Sequence, residues 1–315
     1  MIVRVLVVGL VLAMLGFSYW YSPAVWISIT ACMIPALVIA IAHGERINIL
    51  SGGRLGMMNA TKGNSLALVG AFFIPGRVTE ILKPLYYYKT RQLPIPDGIS
   101  VLIVERIFDV IAVIAIALIA VNFIALPTGD LAATITSLTI VLSIFLVVVI
   151  IMALRFPNLI EKLIGLLPFQ ALRKFVVSAF HAFRAGLAHG IRYWSIVLTL
   201  LVWAGSVGLY WLFLQFDGGV ALGINQIVIV FLIATLGITI TITPGGLGTF
   251  EAVVTLILQQ YGYNFETALA SAIGLRLVAF LPNALIAGYV VLFEGFDFVK
   301  ARKQVETLGD DRGHS

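Results

Sequence analysis

The chain has 315 residues, 61% of them hydrophobic and 11% charged, with a mean hydropathy of +1.07 and a pI near 9.4. Soluble domains carry about 25% charged residues, so the balance excludes an ordinary soluble enzyme and predicts an all-α polytopic membrane protein. The lone Cys32 lies in an apolar run, which excludes a disulfide framework or a cysteine metal motif.

Six full spans are predicted, at about 2–21, 23–42, 99–126, 131–154, 194–216 and 267–293. The first follows Arg4 and runs into "GFSYWYSP" with no small-residue cleavage site, so it reads as a retained helix rather than a signal peptide. Two shorter segments, about 65–82 and 226–260, are interrupted by Pro-Gly pairs, at Pro75-Gly76 and Pro244-Gly245. Arms of ten to twelve helical residues reach only about 15–18 Å, half a bilayer, so each broken segment reads as a re-entrant hairpin. Between 156 and 193, Leu172, Phe175, Val176, Ala179, Phe180, Phe183 and Leu187 recur at helical spacing among basic residues, the pattern of an amphipathic connector on the inner interface.

The charges fit this layout when both termini lie inside. Arg4, the 43–64 loop (Arg46, Arg54, Lys62), the 83–98 loop (Lys83, Lys89, Arg91), the 155–193 segment and the tail then hold 17 of the 20 basic residues on the cytoplasmic side. External loops hold only Asp130, Asp217 and Glu266. The basic pI is thus a matter of topology and anionic lipid, and no nucleic-acid partner is expected. "LYYYKT" at Tyr86–Tyr88 reads as an interfacial aromatic anchor, and His43, His181, His189 and His314 show no metal-ligand spacing. Neither a metal nor a cofactor is expected.

The three remaining arginines, Arg77, Arg106 and Arg276, fall at membrane depth. "IPGRVTE" (Ile74 to Glu80) and "TPGGLGTFE" (Thr243 to Glu251) form a pair, and each precedes a span with a buried arginine. Arg106 follows Pro75 by 31 residues and Arg276 follows Pro244 by 32; the glutamate-to-arginine gaps are 26 and 25. Each half therefore repeats two spans, a hairpin and one span, from opposite sides of the membrane. That is an inverted repeat, with its site at the broken segments. The boundaries are 1–130 for the first repeat, 131–295 for the second and 296–315 for a polar cytoplasmic tail.

A break in hydrocarbon leaves backbone groups that protein, water or ligand must satisfy. Pro75, Gly76 and Pro244 make the breaks, while Gly245, Gly246 and Gly248 allow close approach of a ligand to the backbone. The helix that restarts offers its N-terminal N–H groups to an anion, for which a phosphate is the natural guest. Arg77, Glu80, Arg106, Asp109, Glu251 and Arg276 are candidate substrate-binding residues; Arg106 and Asp109 are three apart and Glu105 and Asp109 four apart, so they can interact along one helix side, with Glu105 in a charge-pairing role. The competing reading is that these charges only pair with one another and lock the halves together.

"PGRVTEILKP", "VERIFD", "PGGLGTFEA" and "GLRL" resemble the flippase-like transmembrane region of lysylphosphatidylglycerol synthases, the multiple peptide resistance factors, over about residues 5–295. The resemblance implies movement of an anionic or phosphate-bearing lipid across the cytoplasmic membrane. Pro75, Gly76, Arg77, Glu80, Glu105, Arg106, Asp109, Pro244, Gly245, Gly246, Gly248, Glu251 and Arg276 stand at the matching positions. About twenty polar residues follow Glu294, too few for the aminoacyl-transferring domain of full-length synthases, so lysyl transfer is not expected. The expectation is a translocase rather than an enzyme, with a phosphate-headed lipid as partner and room for an oligomer. The alternatives are a membrane enzyme acting on a polyprenyl-phosphate lipid and an accessory subunit that transports nothing.

Overall fold

The computed structural model describes residues 23–72, 77–90, 92–123, 155–165, 193–239 and 243–296, with isolated positions elsewhere. The expected spans at 2–21 and 131–154, most of the 156–193 connector, and Pro75 and Gly76 lie outside the described residues. Every element among the described residues is helical, as the composition predicts. In chain order these are α1 (Pro23–Leu50), α2 (Met57–Gly70), a 3₁₀ turn (Arg77–Ile81), α3 (Leu82–Lys89), α4 (Ile95–Phe123), α5 (Pro157–Gly165) and α6 (Tyr193–Leu214). They continue with α7 (Ile224–Thr239), a 3₁₀ turn (Pro244–Gly246), α8 (Thr249–Gln260) and α9 (Phe265–Phe293). Among them, three are long and apolar enough to cross a membrane, within Ala24–Leu50, Trp194–Leu214 and Phe265–Phe293. At 29 residues, α4 would reach roughly 43 Å, but it carries Glu105, Arg106 and Asp109 in its middle.

Two boundaries differ from expectation. The second span was expected to end at 42, with Arg46 in a loop, whereas α1 continues to Leu50 and the loop is only 51–56. The apolar residues Ile47, Ile49 and Leu50 extend the helix, and Arg46 is fully buried. Similarly, α2 starts at Met57 rather than near 65, drawing Lys62 into a helix.

The chain forms two compact units. One draws on residues up to 44, 61–83 and 200–296; the other on 45–60, 84–199 and the residues after 296. The core of the first unit joins Val25, Ile29 and Cys32 of α1 with Phe213 of α6, Ile227 and Val230 of α7, Val254 and Leu258 of α8, and Ala268 and Ala272 of α9. Close helix approach relies on small residues here, since lipid offers no hydrophobic drive between helices. A Cβ on Gly274 would run into Phe213 and Val25. Large apolar side chains such as Ile34, Leu285 and Leu292 face outward, as lipid contact permits. Hydroxyls in the apolar helices bond back one turn, Thr235 to the Phe231 carbonyl at 2.8 Å and Ser206 to Val202 at 2.7 Å.

Within this unit α2 runs antiparallel to α9. Lys62 meets Glu294 at 2.5 Å, the Ser65 hydroxyl donates to Asn283 Oδ1 at 2.9 Å, and the Phe72 and Phe280 rings lie 4.6 Å apart. Asn283 follows Pro282, which interrupts the α9 ladder, and its amide donates to the Ala279 carbonyl at 2.9 Å. The proline-disturbed turn is thus closed by a side chain that also anchors α2.

Among the described residues of the second unit, Val104 and Phe108 of α4 pack with Ile164 of α5 and Phe180. Of the tyrosines expected at the interface, Tyr86 and Tyr87 are buried, with the Tyr87 hydroxyl 3.3 Å from the Ala60 carbonyl. Tyr88, the exposed one, instead lines a surface cavity of about 430 Å³ with Lys89, Gln92, Leu93 and Pro94.

Candidate functional site

The Pro-Gly stretch is a real interruption of the helix. α7 is described to Thr239, the chain turns through Pro244–Gly246, and α8 starts at Thr249. Gly245, Gly246 and Gly248 have φ of 59°, 67° and 84°, values that L side chains rarely adopt. The tip presses on an aromatic ring, since a Cβ on Gly245 would lie 2.9 Å from Phe72. α7 and α8 pack together as a hairpin, and α8 packs on α9.

Arg276 answers the question of where the broken backbone finds its partners. It is the twelfth residue of α9 and only 8% exposed. Its Nη1 donates to the Gly245 carbonyl at 2.6 Å and its Nη2 to the Gly246 carbonyl at 2.8 Å. Nε donates to Glu251 Oε1, and Nη2 also reaches Oε2 at 3.0 Å. Glu251, 4% exposed, closes the circuit by accepting the Gly248 N–H on Oε2 at 2.8 Å. A carboxylate in the first turn of α8 also sits well with the positive end of that helix. The guanidinium lies over Phe250, 4.7 Å from the ring centroid, and 5.7 Å from that of Phe72. One arginine thus serves two orphan carbonyls and one carboxylate in a nearly dry pocket.

The site around Arg106 is built differently. α4 is also 29 residues long, and Arg106 is its twelfth residue, the same register that Arg276 has in α9. Arg106 pairs along its own helix, with Glu105 at 2.8 Å and Asp109 at 3.4 Å, and its side chain is 40% exposed. Glu105 and Asp109 are shared with Arg46, at 3.5 and 2.6 Å. The result is a charge-neutral quartet, Arg46–Glu105–Arg106–Asp109, centred on a buried guanidinium. The sequence layout places Arg46 in the cytoplasmic 43–64 loop. The continuing Ile47-Asn48-Ile49-Leu50 pattern was the signal that it belongs to the helix.

The remaining candidates divide as follows. Glu80 lies in the 3₁₀ turn with Lys83 3.4 Å away, and Lys83, expected in a loop, is 3% exposed. The Arg77 backbone is in the same turn, and its side chain lies outside the description, as does that of Pro244. Gly245, Gly246, Gly248, Glu251 and Arg276 meet at one site, and Glu105, Arg106 and Asp109 at another. Sequence reasoning missed Arg46, Phe72 and Phe250.

Residues 1–287 match the family model described as the lysylphosphatidylglycerol synthase TM region. No curated protein and no solved structure matches the chain.

Proposed function

We propose a lipid translocase, and the premise is the family: the chain belongs to the lysylphosphatidylglycerol synthase TM region family. Membership ties it to a membrane and to lipid. The finer reading is a flippase or scramblase that moves an anionic or phosphate-bearing lipid across the cytoplasmic membrane. In it, both termini face the cytoplasm, and six spans and two hairpins form an inverted repeat.

The observation that carries this reading is the Arg276 pocket. A guanidinium binds carboxylate and phosphate through the same forked geometry. Glu251 therefore occupies the place that a lipid phosphate would take, while the Gly245 and Gly246 carbonyls keep the guanidinium aimed. When phosphate displaces Glu251, the carboxylate retains the Gly248 N–H and the helix end stays capped. The acyl tails remain in lipid. Arg106, less enclosed than Arg276, offers a second anion contact. A chain of this kind transports and catalyses no bond change. The other readings are an enzyme on a polyprenyl-phosphate lipid and an accessory subunit.

The test is reconstitution into liposomes with labelled phosphatidylglycerol and, separately, a labelled polyprenyl phosphate. Wild type moves one of them between leaflets, Arg276→Ala abolishes the movement, and Arg106→Ala and Glu251→Gln slow it. Normal rates in all three folded variants would refute the mechanism. No movement by wild type would favour the accessory reading, and a chemically altered lipid on chromatography would favour the enzyme.

A further inference from the structure

The loop at 215–223, between α6 and α7, holds a carboxylate that the lipid-handling reading leaves unused. Asp217 lies beyond the last turn of α6 and yet is 1% exposed. Its Oδ2 accepts the Ser271 hydroxyl at 2.6 Å, and its Oδ1 accepts the Gly219 N–H at 2.9 Å and lies 3.4 Å from the Tyr263 hydroxyl. That hydroxyl shares its single proton with the Val220 carbonyl, 3.1 Å away. Three separate pieces of chain meet at one side chain: the exit from α6, the turn between α8 and α9, and the second turn of α9. The junction is tightly fitted, because a Cβ on Gly219 would run into the Tyr263 ring. Since α7 begins at Ile224 and α8 ends at Gln260, the junction binds both feet of the hairpin to α9.

We propose that the Asp217–Tyr263–Ser271 junction is a proton-operated clasp on the base of the α7–α8 hairpin, closed when Asp217 is protonated and loosened when it ionises. What the clasp would govern, the hairpin as lipid-handling element, rests on the proposed function; the clasp itself does not.

The charge environment sets the direction. Among the described residues, the loop 215–223, the turn 261–264, the first turn of α7 and the first two turns of α9 carry no Lys, Arg or His. Their other ionisable groups are Tyr261, Tyr263 and Glu266. Glu266 is exposed and lies five residues before Ser271, roughly 140° around the helix. No cation from these segments stabilises the carboxylate, so burial dominates and pushes Asp217 up, against the hydrogen bonds from Ser271, Gly219 and Tyr263 that pull it down. Burial and the neighbouring Asp217 hold the Tyr263 phenol above its ordinary range, so it remains a donor. A carboxyl whose value is raised in the closed state favours closure fully below the ordinary Asp value of about 3.9. That advantage is lost as pH rises through the raised value. Between the two, closure weakens about tenfold per pH unit.

The full chain in nanodiscs, followed by amide hydrogen exchange of 215–223 and 261–264 from pH 4 to 8 and corrected for intrinsic exchange, tests this. Wild type should open about tenfold more per pH unit within the window and level off above it. Asp217→Asn, a neutral isostere, should stay closed with no such dependence. Tyr263→Phe, which keeps the ring against Gly219, should open more at every pH and keep the slope. A flat wild-type profile needs no variant to overturn the clasp. A wild-type slope retained in Asp217→Asn, or lost in Tyr263→Phe, would overturn it too. The readout is exchange rather than lipid movement, so failed translocation would sink the proposed function and leave the clasp standing.

Discussion

Arg276 and Glu251 form a pair, but their removal should not cost the same. Arg276→Met strips the cation from a carboxylate that is 4% exposed, and breaking a buried pair by deleting one partner costs about 3–5 kcal/mol. It also strips the donors from the Gly245 and Gly246 carbonyls, each buried acceptor left unsatisfied costing about 1–3 kcal/mol. Glu251→Gln leaves both carbonyl bonds in place and keeps an amide oxygen for the Gly248 N–H, so its cost is confined to the pair. Even at the low end for two carbonyls, Arg276→Met should exceed Glu251→Gln by about 2 kcal/mol. The double variant should cost less than the sum, with a coupling of about 2 kcal/mol, because neither charge is then left alone in the pocket. Equilibrium unfolding in mixed micelles with an increasing denaturing detergent, followed by tryptophan fluorescence, measures all four corners of the cycle. Equal single costs, or strictly additive ones, would refute the view that Arg276 holds the broken backbone as well as the carboxylate.

In the same assay, Arg46→Met should cost about 3–5 kcal/mol because Arg46 is fully buried between Glu105 and Asp109. Arg106→Met, with a side chain 40% exposed, should cost no more than about 1 kcal/mol. Gly245→Ala should destabilise by about 1–3 kcal/mol through its φ of 59°, with a further loss from the clash with Phe72. Phe72→Ala in that background should recover the clash and leave the strain. Lys62→Met should cost about 1 kcal/mol or less, since Lys62 and Glu294 are both partly solvated.

Much of the hairpin was legible along the chain. A proline and three glycines between apolar runs cannot continue a helix at low cost, and the turn at Pro244–Gly246 before α8 falls where those residues stand. Arg106 and Arg276 each fall at the twelfth residue of a helix, α4 and α9. The Arg106–Asp109 pairing within "VERIFD" was equally readable, because three-residue spacing on a helix brings side chains together whatever surrounds them. Arg46 and Lys62 were not, because positive charge near a span end has two physical outcomes, solvation in a loop or burial against a carboxylate. Only a partner distant in sequence, Glu105 and Asp109 in one case and Glu294 in the other, selects the second.

By itself, then, the sequence determined that this is a helical membrane chain with a broken segment near residue 244 and arginines in its apolar helices, because length, hydropathy and Pro-Gly chemistry act locally. Tertiary structure alone decided that Arg276 caps the carbonyls of that break, that Arg46 completes a neutral quartet, and that Asp217 is buried at the hairpin's foot. Each depends on contacts between residues 30 to 63 positions apart. At that distance no helical period carries information, and the need to neutralise charge and satisfy hydrogen bonds out of water picks the partner.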